Sequence, residues 1–196
     1  MTNVDILNGK PFKDSNLAAK LARVDEDTAS VTTIAYSTFA NPSTTERTLI
    51  ETTSQITGQK LYSTIDAMVN LTSNITGNQD FTFKLYLGAT VVATSVVTIP
   101  DAINTLVSVR LVGSIMYSRT NGTNLEYLGN LVATPLATSA TASVSTLTTV
   151  HTQSPLVTYA TLAGDFDTKL TCTASVGTAT TTITAIGGRT SFDNKN

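Results

Sequence analysis

The sequence predicts an all-β fold, a jelly-roll-like two-sheet antiparallel sandwich preceded by an extended N-terminal arm. Three observations lead there. β-Branched residues dominate, and threonine alone supplies roughly a fifth of the 196 residues. Apolar residues recur at every second position in several segments, whereas no long stretch carries a 3.6-residue period. About ten such segments follow one another with turn signals between them, the rhythm of a sandwich or barrel. Hydrophobic residues make up 41% of the chain and charged residues 13%, about half the usual share of ~25%. That composition excludes a disordered chain, which needs low hydrophobicity and high net charge. An immunoglobulin-like sandwich is the alternative, but the chain has no Trp and no cysteine pair.

Charge separates the two regions. Residues 1–30 hold Lys10, Lys13, Lys20 and Arg23 with Asp5, Asp14, Asp25, Glu26 and Asp27, nine of the 26 charged side chains (12 basic plus 14 acidic). Such a shift marks an appendage. Asn8-Gly9-Lys10-Pro11 is a turn signal, and Leu17 to Val24 is long enough for two helical turns that are marginal alone. Asn41-Pro42-Ser43 reads as a break, giving an arm over 1–43 and a sandwich over 44–196.

The strands follow in order. Val31 to Phe39, Thr48 to Ile56 and Ile65 to Leu71 are the early candidates. Phe81, Phe83, Leu85 and Leu87 alternate with Thr82, Lys84 and Tyr86; Gly88 interrupts, and Val91 to Ile99 resumes, so 81–99 is a tight hairpin. Leu106 to Tyr117 is a long strand, and Asn121-Gly122 turns it into Leu125 to Ala133. Residues 134–149 are low in complexity and read as loop plus edge strand. Ser143 to Thr152, Val157 to Thr161, Lys169 to Val176 and Thr181 to Ile186 complete the set, with Gly187-Gly188-Arg189 as a bulge or turn.

Chemistry-bearing motifs are sparse. A net charge of -2 and a pI near 5.2 argue against nucleic acid as partner. The N-terminus lacks the basic and apolar regions of a signal peptide. Val91 to Ile99, broken by Thr94, Ser95 and Thr98, falls far short of the ~20 apolar residues of a membrane helix. The lone Cys172 alternates with Leu170, Ala174 and Val176 and reads as a core side chain. Sequons at Asn70, Asn74 and Asn121 are what a Thr- and Asn-rich chain generates by chance. The single His151, with no Gly-x-Ser-x-Gly elbow, reads as a strand histidine rather than a catalytic base. Asp25-Glu26-Asp27 is a solvated turn or an ionic contact with a partner. Asp165-Phe166-Asp167 is a polar turn rather than a calcium loop, whose other ligands are missing. The expectation is therefore no enzyme, no metal and no cofactor. Tyr62, Tyr86, Tyr117, Tyr127 and Tyr159 are candidates to stack on sugar rings, or amphipathic packers.

One run of cues extends from Leu49 to Phe192: Thr48-Leu49-Ile50-Glu51-Thr52-Thr53, Ile65-Asp66-Ala67-Met68-Val69-Asn70, Phe81 to Gly88 with its return strand, Leu106 to Tyr117 before Asn121-Gly122-Thr123, and Asp165 to Thr171. In this pattern of strands and turns the chain resembles the jelly-roll proteins of bacteriophage virions, of the capsid decoration (cement), head-fibre or tail-associated type. The resemblance implies a non-enzymatic structural protein of a tailed phage, a homotrimer made in the host cytoplasm and carried on the capsid exterior. Its arm would hold the major capsid protein or another virion component. Ile6, Leu7, Phe12, Leu17, Leu21 and Val24 would be the apolar anchors, and Lys10, Lys13, Lys20 and Arg23 the ionic contacts. Neither nucleic acid nor membrane is expected as partner. The alternative it implies is a tail- or head-fibre host-recognition module that binds cell-surface glycan through tyrosines and loops; a polysaccharide depolymerase is disfavoured by small size and sparse acids.

Overall fold

The computed structural model describes residues 6–7, 10–11, 31–33, 37–40, 45–56, 61–100, 105–121, 124–139, 148–153, 157–159, 164–178 and 180–194. Every element among them is a strand, and every pairing is antiparallel. The smaller sheet runs β11 (Thr148–Gln153), β8 (Thr90–Ile99), β7 (Gln79–Leu87), β13 (Gly164–Ala174) and β5 (Arg47–Ile56). The larger runs β12 (Val157–Tyr159), β10 (Asn124–Ser139), β9 (Thr105–Asn121), β6 (Leu61–Ser73) and β14 (Thr182–Asn194). At its far edge β3 (Val31–Thr33) and β4 (Ser37–Ala40) share the free side of β14. The two sheets face each other as the expected antiparallel sandwich, with hairpins β7–β8 and β9–β10 each kept within one sheet.

Period-two alternation is why these segments are strands and why they form two layers. Along β7 every odd residue from Gln79 to Leu87 is buried and every even one is half-exposed. Phe81, Phe83, Leu85 and Leu87 therefore enter the interior, where Ile65, Val69 and Leu71 of β6 and Val107, Val109, Leu111 and Ile115 of β9 meet them. Leu170 and Cys172 of β13 join the same core. Burial, with the nearby Glu46 carboxylate adding to it, pushes the Cys172 thiol well above its ordinary range, so it is an inert core side chain. Gly88 turns the β7–β8 hairpin at φ 56°, between the closing pair Leu87 and Thr90.

The layers approach closely at Gly129 in β10. A Cβ there would lie 2.5 Å from the Val92 carbonyl oxygen of β8, so only glycine lets the two backbones approach. Near this contact the Ala133 amide donates to Ser95 Oγ at 3.2 Å, a hydrogen bond between sheets that holds a buried hydroxyl.

Several boundaries differ from the sequence reading. Asp165-Phe166-Asp167 is not a turn: β13 starts at Gly164, and its pairing with Ile56 to Thr53 of β5 keeps these residues extended. Asn121 pairs with Asn124, so Asn121 ends its strand rather than opening the turn. β10 runs on past Pro135, where a register shift between Pro135 and Ala137 accommodates the proline. β14 continues through Gly187-Gly188, which is a bulge inside the strand. Residues 31–33 and 37–40, within the segment read as arm, pair with β14 and belong to the large sheet. Ile6 and Leu7 form β1, which pairs with Lys10 and Pro11 as β2, a two-stranded ribbon. Phe12, Lys13, Leu17, Lys20, Leu21, Arg23 and Val24 lie outside the described residues, as do Asp25, Glu26, Asp27 and the break at 41–43.

Candidate functional site

The outer face of the large sheet carries the candidate site. Alternation turns Tyr62, Thr64, Asp66, Met68 and Asn70 of β6 outward, beside Met116, Ser114, Val112, Arg110 and Ser108 of β9 in register. Asn130 and Val132 of β10 continue the rows on one side. On the other side stands Arg189 of β14, directly across from Asp66.

Arg189 reaches that face because of the bulge. In β14 Ile183 and Ala185 point into the core, and unbroken alternation would bury position 189 as well. The register shift between Ala185 and Gly187 inserts one residue, after which Thr190 is buried and Arg189 exposed. One residue of slip reverses the faces of a strand, and here it re-aims a guanidinium.

Two halves of this face differ in how they are satisfied. Below Met68 the polar groups serve one another. Ser108 donates to Asn70 Oδ1 at 2.8 Å, the Thr72 and Thr182 hydroxyls share a short hydrogen bond, and Thr38 and Thr184 meet at 3.1 Å. Above it lies Asp66, gripped by Arg110 through two parallel bonds, Nε to Oδ1 at 3.0 Å and the terminal nitrogen to Oδ2 at 2.8 Å. The Arg110 hydrogen bond holds the Asp66 carboxyl below its ordinary 3.8 against the opposing effect of partial burial, and the Arg189 charge adds to it.

Around that pair the surface is open and dished. One depression of about 580 Å³ is lined by Tyr62, Thr64, Asp66, Val112, Ser114, Asn130 and Arg189 among others. A second of about 440 Å³ lies between Met68, Ile186, Gly187 and Gly188 and shares Asp66 and Arg189 with the first. Both are in the range of about 300–1,000 Å³ usual for ligand sites. Tyr62, Met68, Val112, Met116 and Ile186 are large apolar or aromatic side chains exposed here, from 36% to 43%. Five of the seven exposed large hydrophobic side chains among the described residues therefore stand on this one sheet face.

The smaller sheet's outer face is organised otherwise. Glu46, just before β5, accepts hydrogen bonds from Tyr86 at 2.8 and 3.0 Å and from Thr171, and pairs with Lys84 at 3.5 Å. Burial works to raise the Glu46 pKa, but these donors outweigh it and hold the carboxyl below its ordinary 4.5. Burial and the Glu46 hydrogen bond push Tyr86 up to about 12. Lys169 sits 4.8 Å over the Tyr86 ring, closing the cluster.

Among the candidate tyrosines whose side chains are described, Tyr62 alone belongs to the open face. Tyr127 is wholly buried, Tyr117 packs edge-on against it at 6.1 Å, and Tyr86 is tied to Glu46 on the other sheet. The side chains of Tyr159 and His151 lie outside the described residues. Among the described residues no three His, Cys, Asp or Glu side chains converge as metal ligands would. No sequence motif marks Asp66, Arg110, Asn130 or Arg189 as a site residue. The signal that would have found Asp66 is the unbroken alternation of β6, and for Arg189 the Gly187-Gly188 bulge.

No protein-family model and no curated protein matches this chain. Among solved structures it is similar to the CBM2 module of Lactobacillus casei BL23 phage J-1 evolved Dit, at 11% identity and a TM-score of 0.29 over 69% of this chain. The match spans 63% of that chain's length. At that degree of overlap no residue role is carried from one chain to the other.

Proposed function

We propose that this chain is a non-enzymatic binding module of a tailed-phage virion that holds a host cell-surface glycan across the outer face of its large sheet. The carrying observation is the half-face around Asp66 and Arg189, where an exposed aromatic ring, an amide, hydroxyls and a fixed ion pair line two open depressions. Sugars present apolar ring faces and many hydroxyls, and this inventory answers both. Tyr62 offers its ring for stacking, Asn130 an amide, Thr64 and Ser114 hydroxyls, and Asp66 the acceptor capacity that Arg110 leaves. Tyr62 and Asp66 are four residues apart on one strand, ~13 Å, so the occupant is longer than a single pyranose ring.

The phage setting rests on the strand-and-turn resemblance of residues 49–192, with the virion exterior as its site of action. A glycan array probed with the full chain and with Tyr62→Ala tests the reading. Saturable binding, weakened at least tenfold by the substitution, is the expected result; no saccharide bound by the full chain refutes it.

A second reading is favoured by a different observation. The first 30 residues concentrate nine charges, and Ile6–Leu7 with Lys10–Pro11 form a ribbon that, among the described residues, pairs only with itself. Such a segment suits attachment of a homotrimer to the major capsid protein, as a decorating or cementing protein. A folded chain lacking residues 1–30 should then fail to bind stripped capsids, and wild-type occupancy by it would remove the arm from the account.

A further inference from the structure

We infer that the saccharide held on the large sheet is anionic and that Arg189 binds its oxyanion. The inference rests on the glycan reading above and names the chemical class of the ligand. Asp66 and Arg110 neutralise each other through a two-point pair, which leaves neither charge available to steer a ligand. Arg189 is the third charge of the group and is in excess. It is exposed, lines both depressions and has no hydrogen bond or ion pair among the described residues. Its influence on Asp66 is through charge alone, the weakest of the effects that lower that carboxyl.

Space and geometry agree with that role. The same bulge that turns Arg189 outward places glycine beside it, and a Cβ on Gly187 would meet nothing within 4 Å. A ligand group can therefore reach the guanidinium from the open side without displacing a side chain. Guanidinium is a planar fork of donors that matches a carboxylate or a phosphate with two parallel hydrogen bonds, and its charge does not titrate. Tyr62, ~13 Å along β6 from the Asp66 that Arg189 faces, then receives a ring of the same oligosaccharide. A uronic sugar and a phosphodiester linkage both supply such an acid; the shared chemistry is a saccharide oxyanion.

The test is calorimetric titration of the full chain with three polymers: a neutral galactan, a polygalacturonate and a polyribitol phosphate. At least one anionic polymer should bind tenfold or more tightly than the neutral one, with affinity falling as salt rises. Arg189→Gln should abolish that preference while circular dichroism reports an unchanged β fold, and Arg189→Lys should restore part of it. Which anionic polymer binds separates a carboxylate from a phosphate ligand. Equal binding of neutral and anionic polymers, or an anionic preference that survives Arg189→Gln, overturns the inference and leaves the glycan reading standing. Binding of none of the three, together with a blank glycan array, overturns both.

Discussion

The outer faces of the two sheets are built from similar residues and are organised in opposite ways. On the small sheet one carboxylate, Glu46, gathers Tyr86, Thr171 and Lys84, and Lys169 covers the ring of Tyr86. Each polar group there faces inward to another. On the large sheet the ion pair Asp66–Arg110 is equally well formed, but Arg189 and the ring of Tyr62 stand around it with open space between. The lesson is that a polar cluster becomes a site when one member is left over. Each charged group of the first cluster is engaged by another side chain, whereas Arg189 on the second face has no hydrogen bond or ion pair among the described residues.

Both faces depend on one interior, and the largest expected effect lies there. Gly129→Ala drives a Cβ to 2.5 Å from the Val92 carbonyl oxygen, so the sheets must part. We expect a loss of about 3 kcal/mol in urea unfolding, at the upper end of overpacking costs. A loss under ~0.5 kcal/mol would mean the layers yield, and the contrast between their outer faces would lose its rigid frame.

Next in size is Glu46→Gln, which takes the charged acceptor from Tyr86, Thr171 and Lys84 together. About 2 kcal/mol should be lost in the same assay, since hydrogen bonds to a charged partner are replaced by weaker ones. The pH dependence sharpens this. Glu46 and Asp66 are both held below their ordinary 4.5 and 3.8, so their contribution is complete above those values and is lost as pH falls through the folded-state values. Unfolding free energy should thus be level from pH 7 to 5 and decline towards pH 3, and Glu46→Gln should flatten that decline. Tyr86 runs the other way: raised to about 12, it contributes below its ordinary 10 and ceases to as pH climbs through 12.

The smallest effect should come from the open face. Asp66→Asn breaks the pair with Arg110, but those side chains are 40% and 51% exposed, and solvent-screened pairs contribute about 0–1 kcal/mol. A loss as large as that of Glu46→Gln would erase the difference drawn between the faces.

Much of this could be seen in the residues themselves. Phe81 to Leu87 alternates without exception, and strands β5 to β10 appear where β-branched runs place them, because a period of two has one solution when one face must be buried. The burial of Cys172 follows from the same rule. The site was far less legible. The tyrosines look alike in sequence, yet their fates diverge with neighbours that the linear chain does not identify: Tyr127 in the core, Tyr86 on Glu46, Tyr62 at a depression. Gly187-Gly188 was visible as a bulge or turn, but whether position 189 faces core or solvent hangs on a single-residue slip against β6.

By itself the sequence determined the local state: extended strands, one buried face on each, and a charge-rich segment ahead of them, all consequences of side-chain period and composition. Only the tertiary structure decided which strands became neighbours. Asp66, Arg110 and Arg189 are separated by 44 and 79 positions along the chain (110 minus 66, and 189 minus 110) and meet because β9, β6 and β14 adjoin. Strand order is set by packing two apolar faces together across the whole molecule, and a site assembled across strands exists only after that choice is made.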